Sequence, residues 1–211
     1  MQTTEQNQLR DLMTSRHSIR KYRTDHKISR EELTRMIKEA SSAPSSGNLQ
    51  PWRVVVVDSE EGKAKLRPLV MFNTLQNDTS SAMILILADT QHYKQSDYIF
   101  NKAVDEGKMP ADVRDRQLEL INAHYPQLPA SKLNEIVKID SALFAMQFML
   151  IAKSYGYDTS PMGGFEEERV VEAFDLDPEQ YSPVMILALG KADEAGYESV
   201  RLTPEQITFW H

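Results

Sequence analysis

Residues 16–23 have the composition of an anion-binding segment, because four of these eight residues are arginine or lysine. Arg16 and Arg20 bracket Ser18, and two guanidinium groups with a hydroxyl between them suit a phosphate. A solvated basic turn would have the same composition. The segment nevertheless stands out in a chain whose net charge is −7. Both interpretations are open from these residues alone.

Residues 43–52 form a second polar segment, which reads Ala-Pro-Ser-Ser-Gly-Asn-Leu-Gln-Pro-Trp. Prolines stiffen both of its ends, while Gly47 leaves the middle pliable. Its neutral hydrogen-bonding side chains are those of Ser45, Ser46, Asn48 and Gln50. Amides and hydroxyls can hold a planar polar ring without protonating it. The same residue types also form ordinary helix-to-strand turns.

A third candidate is the segment of residues 160–165, Ser-Pro-Met-Gly-Gly-Phe, which we expect to be a loop. Gly163 and Gly164 precede a predicted helix over residues 166–174. Paired glycines expose backbone N–H groups, and a helix N-terminus adds partial positive charge. A plain tight turn is the alternative interpretation.

Composition excludes several classes of chemistry. The chain has no cysteine, which excludes disulfides, thiolate catalysis and iron–sulfur clusters. Its five histidines include no pair at the one-turn spacing of a helical metal site, so we expect no metal. The net charge of −7 argues against a broad nucleic-acid surface. We expect no membrane span and no signal peptide, and hence a cytoplasmic protein.

Hydrophobic periodicity predicts the elements that must position these segments. A short amphipathic helix should end near Ser15, and further helices are predicted over residues 29–42, 60–71, 111–123, 131–155 and 166–174. Ser29 is the expected N-cap of the second helix. Apolar strands are predicted over residues 54–57, 82–89 and 183–190, the first of them covered on both faces.

The predicted helix over residues 131–155 is apolar on more than one face from Ala142 onward, which predicts burial on several sides or contact with a second subunit. Residues 91–130 are polar, with interspersed tyrosines, and predict a surface excursion or a lid. No linker, repeat or low-complexity segment interrupts the chain. We therefore expect residues 1–211 to form a single domain.

Taken together, these segments resemble the nitroreductase family of FMN-dependent oxidoreductases. The motifs that match, in the family's order, are residues 16–20, 44–52, 72–73, 161–165 and 190–191, followed by Arg201. The resemblance covers nearly the whole chain except about residues 91–130. It implies an α+β fold with a central, mostly antiparallel sheet flanked by helices. It also implies an intertwined, obligate homodimer with FMN at the interface and a C-terminal tail that reaches the partner.

The resemblance also implies roles for single residues. Arg16, Ser18 and Arg201 would hold the FMN phosphate and ribityl chain, and Arg20 would lie near the N1/O2 edge of the flavin. The other subunit would supply Pro44, Ser45, Ser46 and Asn48. The pyrimidine edge would face Asn73 and Gln76, and N5 and O4 would face Gly163 and Gly164. The remaining members of the implied site are His17, Pro161, Met162 and Lys191.

The implied function is reduction of nitroaromatics, quinones or similar flat acceptors at the expense of NADH or NADPH, by ping-pong hydride transfer through flavin N5. The flavin carries the chemistry, so no catalytic side chain is required, and Arg20 would tune the cofactor by stabilising negative charge at N1/O2. Two alternatives are open. One is a same-fold FMN enzyme of other chemistry, such as reductive dehalogenation or flavin breakdown. The other is a non-catalytic dimer that stores or senses FMN.

Overall fold

The computed structural model describes residues 4–211, and the side chains of residues 7–211. Four strands form one sheet in the order β1-β2-β4-β3. The strands are β1 (Trp52–Val57), β2 (Ala82–Asp89), β3 (Asp158–Met162) and β4 (Tyr181–Gly190). The helices are α1 (Thr4–Ser15), α2 (Arg30–Ala40), α3 (Glu60–Leu66), α4 (Thr74–Thr79), α5 (Ser96–Asp105), α6 (Ala111–His124), α7 (Ala130–Ser154), α8 (Glu167–Val170) and α9 (Pro204–Ile207). The predicted α+β class is confirmed.

The sheet is antiparallel at each strand pairing within the described residues, in agreement with the mostly antiparallel sheet that was expected. Strand β2 lies in its middle, and all eight of its residues are buried. Such a strand reads as a continuous apolar run rather than an alternating one, because both of its faces are covered. The bounds predicted for this strand, residues 82–89, are those observed.

Helices cover both faces of the sheet. On one face, α2 and α7 contribute Met36, Phe144 and Phe148 to a core cluster with the inward side chains of β2 and β4. On the other face, a second cluster joins Tyr22 and Leu66 to the opposite side chains of the same strands. Burying each of these large side chains contributes about 1.5–3 kcal/mol, so the sheet is a rigid base for the loops at its ends.

Three predictions of local structure were wrong. Residues 160–165 are not entirely a loop, because β3 extends to Met162 and pairs with β4. Proline is tolerated at Pro161 because β3 lies at the edge of the sheet. The helix predicted over residues 60–71, with at most a break at Pro68, already ends at Leu66, and a 3-10 turn with Pro68 follows. The helix predicted over residues 166–174 splits into α8 and a separate 3-10 turn.

Strand β1 also differs from expectation. It lies at the other edge of the sheet, and residues 53–56 are half-buried rather than covered on both faces. Ser29 does cap α2, because its side chain accepts a hydrogen bond from the Glu32 N–H at 3.1 Å. The predicted helix over residues 111–123 is α6, and the one over residues 131–155 is α7.

Helix α7 has two apolar faces. One face carries the buried Phe144 and Phe148, while Ile139, Leu143 and Met146 on another face are 63%, 44% and 41% exposed. The spacing of these three exposed residues places them along one stripe of the helix. An apolar stripe of this kind on a surface helix indicates a protein contact.

Residues 91–130 fold into two helices, α5 and α6, which pack around a small cluster of their own. Its buried members are Phe100, Ile121 and Leu49, the last of which belongs to the polar segment of residues 43–52. The excursion therefore rests directly on that segment. None of the helices in residues 4–211 combines the length and the apolar character that crossing a membrane requires.

Candidate functional site

Two cavities of about 470 and 310 Å³ lie where the end of α1 meets the C-terminal tail. Arg16, His17 and Arg201 line both cavities, and Ser18 and Arg20 line the smaller one. The structure thus brings five of the predicted site residues together. We call this region the arginine cavity.

Backbone pairing with the edge of the sheet positions the arginine cavity. Ser18 forms a β-bridge to Thr159 of β3, and the Ile19 N–H donates to the Thr159 carbonyl at 3.1 Å. The Ile19 side chain is buried in the second core cluster. Because Ile19 anchors the segment inward, the polar side chains on either side of it are directed outward to the cavity.

Arg16 carries the most informative atom of the site. Its Nη1 nitrogen is fully buried and has no hydrogen-bond partner within the described residues. A buried donor without an acceptor costs about 1–3 kcal/mol, and more when it is charged. An anionic oxygen bound in the cavity would satisfy this nitrogen. His17 is held in place by its Nδ1, which lies 2.8 Å from the Ser15 carbonyl oxygen and therefore acts as a donor there.

Arg20 and Arg201 are more exposed than Arg16. The Arg20 guanidinium lies 5.1 Å from the ring centroid of Tyr197, within cation–π range. The Arg20 backbone N–H donates to the Glu194 carboxylate at 2.6 Å. These two contacts attach the tail to the residue-16–20 segment and restrict the Arg20 side chain.

The sequence interpretation missed the acidic and aromatic residues of the tail. Glu198 and Ser199 line both cavities, and Tyr197 lines the smaller one. Their nearness to Arg201 in the chain was the signal that could have identified them. Glu198 thus places one carboxylate beside the three arginines that line the smaller cavity.

Lys191 does not line the arginine cavity. Its ammonium group donates to the Gly156 carbonyl at 2.6 Å and lies 3.8 Å from the centroid of the Tyr157 ring. Lys191 therefore interacts with carbonyl groups at the C-terminal end of α7, and it does not face the arginine cavity.

A second group of predicted residues joins α4 to the end of β3. The Asn73 amide donates to the Gly164 carbonyl at 2.9 Å and to the Val70 carbonyl at 3.1 Å. The Gln76 amide donates to Asn73 Oδ1 at 3.0 Å. These hydrogen bonds leave the side-chain oxygen of Gln76 free to accept a hydrogen bond. The pair can therefore offer both a donor and an acceptor to a planar ligand.

The remaining residues at the end of β3 differ in exposure. The Met162 side chain is buried in the second core cluster, so its backbone alone is available to a ligand. Pro161 is exposed at the sheet edge. A Cβ atom built on Gly163 would have no atom within 4 Å, so there is open space over this position. Backbone N–H groups there are accessible without a covering side chain.

The third group is the polar loop of residues 44–50. Ser46 begins a 3-10 turn that ends at Asn48, and the Gln50 N–H donates to Ser45 Oγ at 3.0 Å. Pro44, Ser46 and Asn48 are exposed. This loop does not line the arginine cavity of its own chain; Asn48 and Gln50 instead line a cavity of about 330 Å³ against α5.

The chemistry of all three groups is that of binding rather than of covalent reaction. They offer guanidinium groups, hydroxyls, amides and backbone N–H donors, which suit a ligand with a phosphate and a flat heteroaromatic ring. In the described part of the chain, no three His, Asp or Glu side chains are grouped so that they could hold a metal ion.

Comparison with known proteins identifies the family. The family model described as "Nitroreductase family" matches residues 13–191. YdgI of Bacillus subtilis strain 168, provisionally named an NAD(P)H nitroreductase, is 48% identical over 204 residues, which is 97% of this chain and 98% of that protein. The "CLA biosynthesis enone reductase" of Lactiplantibacillus plantarum is 39% identical over 197 residues, 92% of this chain and 90% of that protein.

A solved structure extends the similarity to three dimensions. A nitroreductase-type protein of Exiguobacterium sibiricum 255-15, crystallised in complex with FMN, superposes with a TM-score of 0.94 at 48% identity. The match covers 96% of this chain and 97% of that one. The predicted recognition is confirmed, and this chain belongs to the nitroreductase family.

Proposed function

We propose that this protein is an NAD(P)H-dependent FMN oxidoreductase that reduces flat, electron-poor acceptors such as nitroaromatics and quinones in a ping-pong cycle. The observation that carries the proposal is the buried Arg16 nitrogen, which has no hydrogen-bond partner in the described part of the chain, beside a cavity that Arg201 and Ser18 also line. A related protein that binds FMN supports the identity of the cofactor.

The residues present fit FMN. Arg16, Ser18 and Arg201 would hold its phosphate, because all three side chains line the smaller cavity. The chain has no cysteine, which excludes a cysteinyl–flavin bond, and the proposed binding is noncovalent. When bound, FMN supplies the capacity to accept two electrons from NAD(P)H and to pass them to an acceptor.

The chain's own contribution is binding and electrostatics. Arg20, restrained by Tyr197, supplies a fixed positive charge that favours the more negatively charged reduced state. The Asn73–Gln76 pair is oriented in advance by its bonds to the backbone and to each other. Because these groups are fixed before a ligand arrives, little reorganisation opposes electron transfer.

A homodimer is part of the proposal. In one chain, the polar loop of residues 44–50 and the arginine cavity are separate, although both have the character of flavin ligands. A second copy would bring the loop of one chain to the cavity of the other. The exposed stripe of Ile139, Leu143 and Met146 is the proposed contact, and the exposed apolar tail residues Val200 and Trp210 would extend it.

We also propose that residues 91–130 control access of the acceptor, as a lid. They rest on Leu49, next to Asn48 and Gln50. Helix α5 forms the opposite wall of the cavity that Asn48 and Gln50 line. A change in this excursion would therefore alter the space beside the polar loop.

A second candidate acceptor is an enone, favoured by the 39% identity to an enone reductase over nearly the whole chain. Reduction of the C=C bond takes one hydride, which originates from NAD(P)H, and one proton from solvent. The site needs no additional catalytic group for this variant, because the acceptor alone changes.

The first test is the identity of the bound flavin. Purified protein should be yellow, and denaturation should release about one FMN per chain, identified by mass. Release of FAD, or a colourless protein that takes up no FMN, would contradict the cofactor assignment.

The second test is turnover. Steady-state oxidation of NADH and NADPH should be measured with a quinone, a nitroaromatic compound and an enone of similar size. Saturation with parallel double-reciprocal plots is expected of a ping-pong cycle. A protein that binds FMN but turns over with no acceptor would instead be a flavin store or sensor.

A further inference from the structure

Asp140 occupies an unusual position on α7. It is 3% exposed and lies on the same stripe as Val137 and Phe144, both of which are fully buried. A core position of this kind normally holds an apolar side chain, because a buried carboxylate is costly unless it is hydrogen-bonded. The presence of Asp140 there indicates a specific partner.

That partner is Ser46, at the start of the 3-10 turn in the polar loop. Asp140 Oδ2 accepts the Ser46 backbone N–H at 2.9 Å, and Oδ1 accepts the Ser46 hydroxyl at 3.2 Å. Burial raises the pKa of Asp140, and the two Ser46 hydrogen bonds oppose that rise. Both carboxylate oxygens are thus committed to one residue, as a cap on the turn.

The loop needs such a restraint because its backbone is strained. Gly47, Asn48 and Gln50 have φ angles of +59°, +56° and +48°. For residues other than glycine, the left-handed region is sterically unfavourable, because Cβ approaches the following carbonyl oxygen. A conformation of this kind persists only when its surroundings over-determine it. One restraint is the burial of Leu49 under the excursion, and the other is Asp140.

We propose that Asp140 is a positioning residue, whose carboxylate holds the polar loop of residues 44–50 in the conformation that completes the flavin site of the neighbouring subunit. We call the two hydrogen bonds between Asp140 and Ser46 the clamp. The effect on flavin rests on the function proposed above, but the clamp itself does not. Without the clamp, the loop would populate other conformers, and the apparent affinity for FMN would fall by the competent fraction.

Three variants separate the clamp from mere burial. Asp140→Leu removes both hydrogen bonds and suits the apolar surroundings, so it should preserve or raise the melting temperature. Asp140→Asn keeps the geometry without the charge, because its oxygen can accept the Ser46 N–H while its amide donates to the hydroxyl. Ser141→Ala is the matched control: Ser141 is adjacent and fully buried, but its hydroxyl has no partner among the described residues.

The first measurement uses flavin-free protein and the exchange of the Ser46 amide hydrogen. In Asp140→Leu, this amide should exchange about tenfold to a hundredfold faster than in the wild type, as expected for loss of a charged hydrogen bond. Asp140→Asn should lie between the two, and Ser141→Ala should match the wild type. Equal exchange in Asp140→Leu and the wild type would overturn the clamp, as would faster exchange across all of α7. If Asp140→Leu does not fold, the intermediate exchange expected of Asp140→Asn decides the question.

The second measurement is the dissociation constant of FMN, from quenching of flavin fluorescence. Asp140→Leu should raise it at least about tenfold, Asp140→Asn by less, and Ser141→Ala not at all. Wild-type protein that binds no FMN would refute the proposed function while leaving the exchange result in force. Wild-type binding with unchanged affinity in Asp140→Leu would refute the positioning role alone.

Discussion

Arg16 provides the sharpest test of the anion site, because its removal should act oppositely on the free and the liganded protein. The variant is Arg16→Met, which keeps an unbranched apolar stem but lacks the guanidinium. In the free protein, the buried Nη1 atom has no hydrogen-bond partner among the side chains and backbone that the structure describes, and this costs about 1–3 kcal/mol. Arg16→Met should therefore leave the free energy of unfolding of the flavin-free protein unchanged, or raise it by about 1 kcal/mol.

In the liganded protein the same substitution should be harmful. A hydrogen bond to a charged group contributes about 1.5–3 kcal/mol, and every 1.4 kcal/mol is a factor of ten. Losing one bond to phosphate should thus raise the dissociation constant of FMN about tenfold to a hundredfold. Arg16→Lys should recover part of the loss, since it restores the charge but not the fork.

The assays are thermal unfolding of the flavin-free protein and fluorescence titration with FMN. Arg10→Met is the matched control, because Arg10 is exposed on α1 and lines neither cavity. A marked loss of stability in flavin-free Arg16→Met, together with unchanged FMN affinity, would refute the reasoning. Arg16 would then be a structural residue.

Three further predictions follow from other parts of the molecule. Arg20→Ala, refilled with FMN, should show a lower midpoint potential and slower reduction by NAD(P)H, with partial rescue in Arg20→Lys; normal values in redox titration and stopped-flow measurements would exclude Arg20 from the flavin ring. Leu143→Glu should convert the proposed dimer to monomers in sedimentation experiments, whereas Leu120→Glu, at a more exposed leucine on α6, should not; a dimer that persists in Leu143→Glu would remove the α7 stripe from the interface. Burial lowers the pKa of His92 from 6.5 to about 4. As the pH falls from 6.5 to about 4, the unfolded chain therefore binds the proton before the folded chain does, and the free energy of unfolding should fall by up to about 3 kcal/mol. Denaturant titrations of His92→Phe should show a weaker acid dependence, and an unchanged one would assign the loss to other groups.

Much of the architecture was predictable because it rests on local patterns. The uninterrupted apolar run of β2 and the two-faced pattern of α7 could be read directly, since periodicity reports burial. Strand β3 could not, because Pro161 and the following glycines are typical of a loop, and only the edge position in the sheet makes them compatible with a strand.

The sequence indicated which residues belong to the candidate site, but it did not indicate which of them contact one another or which other residues hold them. Sequence motifs identified Arg16, Ser18 and Arg201 as a group, and the structure brings them together. Lys191 lies apart from the arginine cavity, because its ammonium group donates to the Gly156 carbonyl, and a charged residue beside a motif gives no sign of such a contact. Asp140 was overlooked because its partner, Ser46, is 94 residues distant, and pairing at that separation is a property of the fold.

Residues 91–130 pack on Leu49, which lies outside them in the sequence. This contact matters for any attempt to move acceptor preference from one relative to another. Within the described residues, Leu49 is the one buried member of that cluster from outside residues 91–130, and its neighbours Asn48 and Gln50 belong to the polar loop of residues 44–50. If residues 91–130 of one relative replaced those of another, the transferred segment would pack against the recipient's residue at position 49 instead of its own. If residues 91–130 control acceptor access as proposed, chimeras that carry position 49 along with them should transfer acceptor preference more cleanly than chimeras that do not.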